Sequence, residues 1–370
     1  MLKRLLAALL LLAAGLPASA GTCQPSAFEA RWKYFSQHLI TDEGRVVDYS
    51  DQRQITTSEG QSYAMLFALL AGDQPMFRRL LAWTRDNLAQ GDLGAHLPAW
   101  LWGRQPEGAW GVLDANSASD SNAWIAYALL EAGRLWKQRE YTVAGHLLLQ
   151  RMGKEEVADL PGFGAMLLPG RQGFVHEDQW RLNPSYLPPM VMERFAQEAS
   201  QPWAQVLEGT RRLLVESAPR AVSPDWVDWD GQGRRFVSRD EKDAQSSYDA
   251  IRVYLWVGMM PAGMTGAVEL KAHFAPIGQW IGADGRFPER IDSRDGTALG
   301  VGPAAFSAAL LPLFADGDKA RALRTRAAGV PMERDNYYSQ VLSLFSAGWD
   351  AGLLRFDPHG FLDSQPPPCL

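Results

Sequence analysis

The spacing of its helical segments constrains this chain more than any single motif does. Apolar residues recur with helical periodicity over twelve stretches: 26–40, 59–71, 75–89, 120–137, 140–153, 188–198, 200–217, 246–258, 263–279, 302–315, 317–327 and 335–350. The period is cleanest from Trp124 and Ile125 through Ala128, Leu129 and Ala132 to Leu135 and Trp136. Even-to-odd connections are short, from 71 to 75, 137 to 140, 198 to 200, 258 to 263 and 315 to 317. Odd-to-even connections are long, from 40 to 59, 89 to 120, 153 to 188, 217 to 246 and 279 to 302, with 327 to 335 the exception. Short links make antiparallel neighbours, so the long ones must all emerge at the N-terminal end of the even helices. Residues 59–71 are apolar nearly all round (Tyr63, Met65, Leu66, Phe67, Leu69, Leu70), which demands burial on every side. The pattern predicts an all-α fold, a closed (α/α)6 barrel of six helical hairpins. Small β-hairpins are expected in the loops, as at Trp226–Val237 around Asp230-Gly231. Loops gathered at one mouth point to a site there.

A length of 370 residues allows two or three domains at roughly 150 residues each, yet no linker or composition break divides the chain. One domain over residues 21–370 is therefore expected. Residues 1–20 read as a secretory signal peptide: Lys3 and Arg4, the apolar run Leu5–Leu16, then Ala18-Ser19-Ala20 as a cleavage site. An uncleaved anchor is the alternative, although the run is short for a bilayer and no later segment could span one. Export predicts a periplasmic or secreted protein. Loss of Lys3 and Arg4 takes the formal charge from −6 to −8, which argues against a nucleic-acid partner. Cys23 and Cys369 bracket the mature chain and are candidates for a disulfide, the alternative being two free thiols.

The six histidines have no metal-binding spacing, and phosphate-loop, dinucleotide and nucleophile-elbow motifs are missing, so no metal or cofactor is expected. What remains is a set of carboxylates at helix starts: Glu59 in Thr57–Tyr63, Asp120 in Ala118–Asn122 and Asp249 in Ser246–Arg252. Each alone could merely stabilise a helix N-terminus, by ~0.3–1 kcal/mol. Ser58 and Gln61 likewise have capping-box spacing. Together, however, all three open even helices and so point into one mouth. Two facing carboxyls suit glycosidic hydrolysis, one protonating the leaving oxygen and the other activating water or attacking the sugar. A helix N-terminus works against the acid, which therefore needs burial or a neighbouring carboxylate such as Asp120 beside Glu59. Among 14 tryptophans, Trp100, Trp102 and Trp110 crowd the connection before the fourth helix, either as a platform for sugar rings or as packing. Trp83, Trp124 and Trp136 lie within amphipathic helices and read as core. Asn183–Pro189 offers amide and phenol groups, Asn183 and Tyr186, on a stiff backbone before the sixth helix.

The run Ala118–Ala126, continuing to Trp136, resembles the signature of glycoside hydrolase family 8, and Thr57–Tyr63 and Ser247–Arg252 resemble two further blocks of that family. With Leu97–Gly103, Asn183–Pro189 and Val253–Pro261, the likeness covers roughly residues 23–360 and is greatest to periplasmic endoglucanases of bacterial cellulose-synthesis operons. It implies an (α/α)6 barrel and inverting hydrolysis of a β-1,4-glucan chain, with the cellulose synthesis and export machinery as an associated partner. Xylan or chitosan hydrolysis and a catalytically impaired glucan-binding protein are the alternatives. The resemblance further implies Glu59 as general acid, Asp249 as general base and Asp120 as a carboxylate that binds and distorts the sugar. Older descriptions of the family cast Asp120 as nucleophile. Arg252 would orient the base or a neighbouring carboxylate, and Tyr337 or Tyr338 would touch the reactive sugar or water. One departure stands out: the signature usually has Asp where this chain has Asn122.

Overall fold

The protein is described by a computed structural model covering residues 25–363 apart from 200 and 315. The expected signal peptide (1–20), Cys23 and Cys369 lie outside the described residues. Twelve α-helices are present there: α1 (Ala27–His38), α2 (Ser58–Leu70), α3 (Gln74–Leu88), α4 (Ser119–Trp136), α5 (Arg139–Glu155) and α6 (Pro189–Glu198), followed by α7 (Trp203–Glu216), α8 (Ile251–Met259), α9 (Ala267–Phe274), α10 (Ala304–Leu310), α11 (Gly317–Ala328) and α12 (Tyr337–Asp350). All twelve fall on the periodic stretches of the sequence. The ninth continues as a 3₁₀ turn over Ala275–Trp280, where Pro276 supplies no amide hydrogen. No helix among the described residues is long and apolar enough to cross a membrane.

The even helices form a closed inner ring, α2 packing on α4, α4 on α6, α6 on α8, α8 on α10, α10 on α12, and α12 back on α2. Each has one odd partner outside it: α3, α5, α7, α9 and α11 in turn, with α1 closing the sixth hairpin against α12. Burial follows this division. Every residue of α8 is buried, whereas α5 buries only the stripe Tyr141, Gly145, Leu148, Leu149 and Met152. The tightest seam lies between α4 and α5. A Cβ on Gly133 would stand 2.2 Å from Thr142 Oγ1, and one on Gly145 would crowd Leu130. On the barrel axis Tyr63, Trp124, Trp256 and Phe345, from α2, α4, α8 and α12, meet in one aromatic cluster with centroid separations of 4.9 to 6.5 Å. That cluster is the floor beneath the N-terminal mouth.

The long connections carry the strands β1 (Thr56–Thr57), β2 (Ala99–Arg104), β3 (Trp110–Ser117), β4 (Val157–Leu160), β5 (Gly164–Leu167), β6 (Val175–His176) and β7 (Gln179–Leu182), then β8 (Val227–Asp230), β9 (Arg235–Val237), β10 (Gln245–Ser246), β11 (Arg290–Asp292) and β12 (Ala298–Leu299). They pair in antiparallel order as β1-β2-β3, β4-β5, β6-β7-β8-β9 and β10-β11-β12. The hairpin expected around Asp230-Gly231 is β8–β9, and the three loop tryptophans sit on β2 and β3. Because Thr57 pairs with Leu101, the tryptophan-bearing hairpin is tied to the start of α2 and hence to Glu59.

Two local readings need correction. Ser58 is not the cap of α2: Thr57 is, its Oγ1 accepting from the Gly60 amide at 3.0 Å. Gln61 instead reaches sideways, its Oε1 accepting from the Val46 amide at 2.6 Å and its amide donating to Thr84 and Gly44, which fastens the first long connection. The eighth helix begins at Ile251 and not 246, so Asp249 occupies the turn before it.

Candidate active site

Arg252, in the first turn of α8, joins the two carboxyls that the sequence set apart by most of the chain. Its Nη1 donates to Glu59 Oε2, and its Nη2 donates to Asp249 Oδ1 at 2.9 Å and to Ser185 Oγ at 3.0 Å. The Arg252 side chain is only 5% exposed, while the Glu59 and Asp249 side chains are 21% and 31% exposed, so the acids open outward above a buried cation.

Each carboxyl has its own second partner. Tyr337, at the start of α12, donates its hydroxyl to Glu59 Oε1 at 3.5 Å, and Gly60 keeps the space clear, since a Cβ there would stand 3.1 Å from that hydroxyl. Trp226 donates its indole N–H to Asp249 Oδ2 at 3.1 Å. Burial raises the Glu59 carboxyl above its ordinary range; Arg252 opposes this and nearby Asp249 adds to it. That is the counter-effect an acid at a helix N-terminus requires. Asp120, buried in the first turn of α4, accepts from the Ser121 amide at 2.7 Å and from Ser121 Oγ. Burial, and then the charge of Glu59, push it up to about 7. Glu59 and Asp120 are thus electrostatic neighbours, as expected.

The turn holding Asp249 is fixed from outside. Asp225 accepts from the Ser247 and Ala250 amides, both at 2.8 Å, and from Ser247 Oγ. Tyr338 donates to the carbonyl of Tyr248. The two tyrosines left open by the sequence therefore separate: Tyr337 touches Glu59, and Tyr338 anchors the turn that holds Asp249. Asn183 caps the 3₁₀ turn Pro184–Tyr186, accepting from the Ser185 amide and hydroxyl, and thereby aims Ser185 at Arg252. The Tyr186 ring stands over Arg252 at 6.0 Å, and its phenol is raised by burial and by Asp120 and Asp249.

The three loop tryptophans lie along the neighbouring hairpin. Trp102 and Trp110 stack with centroids 5.4 Å apart, and Arg45 covers both rings at 4.8 Å. Trp83 buttresses Trp102 edge-on from α3, Trp110 is 48% exposed, and Trp100 is half-buried on β2. Of the helix-borne tryptophans, Trp83 and Trp124 are buried and Trp136 is half-buried.

Sequence reasoning missed Trp226, Asp225, Ser185 and Phe174, whose ring is parallel to that of Trp226 at 6.2 Å. Trp226 lay inside the expected hairpin, but a hairpin signal does not say which carboxylate its end will meet.

The sequence profile of glycosyl hydrolases family 8 matches residues 2–352. The chain belongs to that family. It is a glycoside hydrolase. The chain is 48% identical over 331 residues to an endoglucanase of Escherichia coli O157:H7, covering 90% of this chain and 89% of that protein. It is 45% identical over 338 residues to an endoglucanase of Xanthomonas axonopodis pv. citri, covering 90% and 88%. The crystal structure of an endo-1,4-D-glucanase from Vibrio fischeri ES114 superposes with a TM-score of 0.87 at 42% identity, covering 91% of this chain and 99% of that one.

Proposed function

We propose that this family 8 hydrolase is an exported endo-β-1,4-glucanase that cuts cellulose-type chains with inversion. Glu59 acts as general acid, Asp249 as general base, and Asp120 holds the sugar at the cleavage point. The observation that carries this reading is the double contact of Arg252, which presents a carboxyl raised above its ordinary range and a more open one on adjacent nitrogens of one guanidinium. A guanidinium only donates, so Glu59 Oε2 accepts, and in the protonated acid the proton is carried on Oε1. Glu59 passes that proton to the glycosidic oxygen as its bond to the anomeric carbon breaks. Asp249 takes a proton from a water that attacks the same carbon from the opposite face, and the new hydroxyl is inverted. Arg252 and Trp226 leave Asp249 lone pairs free for that water.

The exposed Trp110–Trp102 stack, with Trp100, supplies a platform for further glucose rings, and Asn183 and Tyr186 frame the floor. Cleavage of residues 1–20 would leave residues 21–370 as one barrel domain acting in the periplasm or medium, beside the machinery of cellulose synthesis and export, with Cys23 and Cys369 able to bridge its ends. One experiment tests the whole reading. Reducing ends released from carboxymethylcellulose, xylan and chitosan are measured in periplasmic and supernatant fractions of cells making wild type, Glu59→Gln or Asp249→Asn. Activity on carboxymethylcellulose is expected in those fractions, falling by about a hundredfold or more in either variant, and the first product should be the α-anomer by proton NMR. Wild-type rates in both variants would overturn the residue assignment, and faster turnover of xylan or chitosan would overturn the substrate.

A further inference from the structure

Beneath Asp120 lies a second buried carboxyl that the mechanism does not use. Glu156, at the C-terminal end of α5, is 1% exposed, and only one of its oxygens is occupied. Oε1 accepts from Ser117 Oγ at 2.6 Å and from Asn122 Nδ2 at 2.9 Å, while Oε2 is buried without a partner. Asn122 Oδ1 is likewise buried and unpartnered. Ser117 and Asn122 flank Asp120 in the chain, and Ser117 Oγ in turn accepts from the Arg171 amide. The acid therefore ties the entry of α4 to its first turn.

Two orphaned oxygens on an acid and an amide that already share one hydrogen bond are what a cyclic acid–amide pair shows when its proton is not drawn. A carboxylate at this position would leave both buried acceptors without a donor; a carboxylic acid supplies the missing one. We infer that Glu156 works as a protonated carboxylic acid, its Oε2 proton donated to Asn122 Oδ1, and that this neutral pair positions the turn that presents Asp120. The charged groups bearing on it are Asp120 on α4 and Glu155, its neighbour on α5, whose carboxylate is turned to Arg151 and Arg171. Both acids disfavour a charge on Glu156, and burial above all pushes its carboxyl up to about 8.

The positioning role rests on the reading of Asp120 as a sugar-holding carboxylate; the protonation does not. Glu156→Gln copies the neutral pair without a proton to lose, its amide donating to Asn122 Oδ1 and its carbonyl accepting from Ser117. Glu156→Leu removes the pair. On carboxymethylcellulose at about pH 6, Glu156→Gln should keep kcat/KM within about threefold and Glu156→Leu should lose about tenfold or more. Thermal midpoints supply the second readout. A folded-state value of about 8 against an ordinary 4.5 means that the folded state alone holds this proton between those limits. Its contribution to stability is full below the lower limit and is lost as pH rises through the upper one. Wild type should therefore lose stability relative to Glu156→Gln from about pH 5 to about pH 8. A midpoint difference that does not change with pH, or a folded Glu156→Gln as impaired as Glu156→Leu, would overturn the inference. If Glu156→Leu does not fold, the Gln comparison decides alone. Wild-type rates in Asp120→Asn would instead remove the role of Asp120 and leave the midpoint result standing.

Discussion

Replacing Arg252 with lysine isolates what the planar fork does, because the charge stays while the second donor direction is lost. In the native site one nitrogen serves Glu59, and the other serves both Asp249 and Ser185. A lysine ammonium is a point donor on a flexible stem, so it can hold one carboxyl in place but not both with the same spacing. A hydrogen bond to a charged group is worth about 1.5–3 kcal/mol. At 1.36 kcal/mol per decade of rate, losing one such bond in the transition state should lower kcat by about 10- to 100-fold. The lost contact orients a reacting group and does not hold the glucan, so KM should change little. The assay is initial-rate release of reducing ends from carboxymethylcellulose at several substrate concentrations, with near-UV circular dichroism and the thermal midpoint as controls for folding. A folded Arg252→Lys with kcat within about threefold of wild type would show that a local positive charge suffices and that the shared fork does not set the site.

Two further outcomes follow from the same geometry. Trp226→Phe keeps an aromatic face against Phe174 but removes the donor to Asp249 Oδ2, and kcat should fall about tenfold; an unchanged rate would mean that Arg252 and the 247–250 turn alone aim the base. Trp110→Ala removes the exposed half of the ring stack, so KM for long glucan chains should rise several-fold with kcat little affected. Equal effects on long and very short substrates would place that stack outside the binding path.

The barrel was legible in the sequence because its causes are local. A helix that buries every face, such as α8, and one that buries a stripe, such as α5, differ in their apolar spacing, and the alternation of short and long links follows from antiparallel packing. Glu59, Asp120 and Asp249 were legible for a related reason, since each opens an even helix or the turn before one. The boundaries of the eighth helix were not. Ser246–Ala250 has helical composition, but Asp225 and Tyr338 hold it as a turn from segments far away in the chain.

What the sequence determined by itself is therefore the ring of hairpins, the end at which the loops gather and the carboxyls that face it. Only the tertiary structure decided how those carboxyls differ. Burial and nearby Asp249 raise the Glu59 carboxyl above its ordinary range, and Trp226, just before the strand β8 that pairs with β7, reaches Asp249. Glu156 likewise lies below Asp120 because α5 packs on α4. Helical periodicity is set by residues three and four apart, which the chain itself carries. The protonation of a carboxyl is set by the burial and charge around it, and those exist only once distant segments have met.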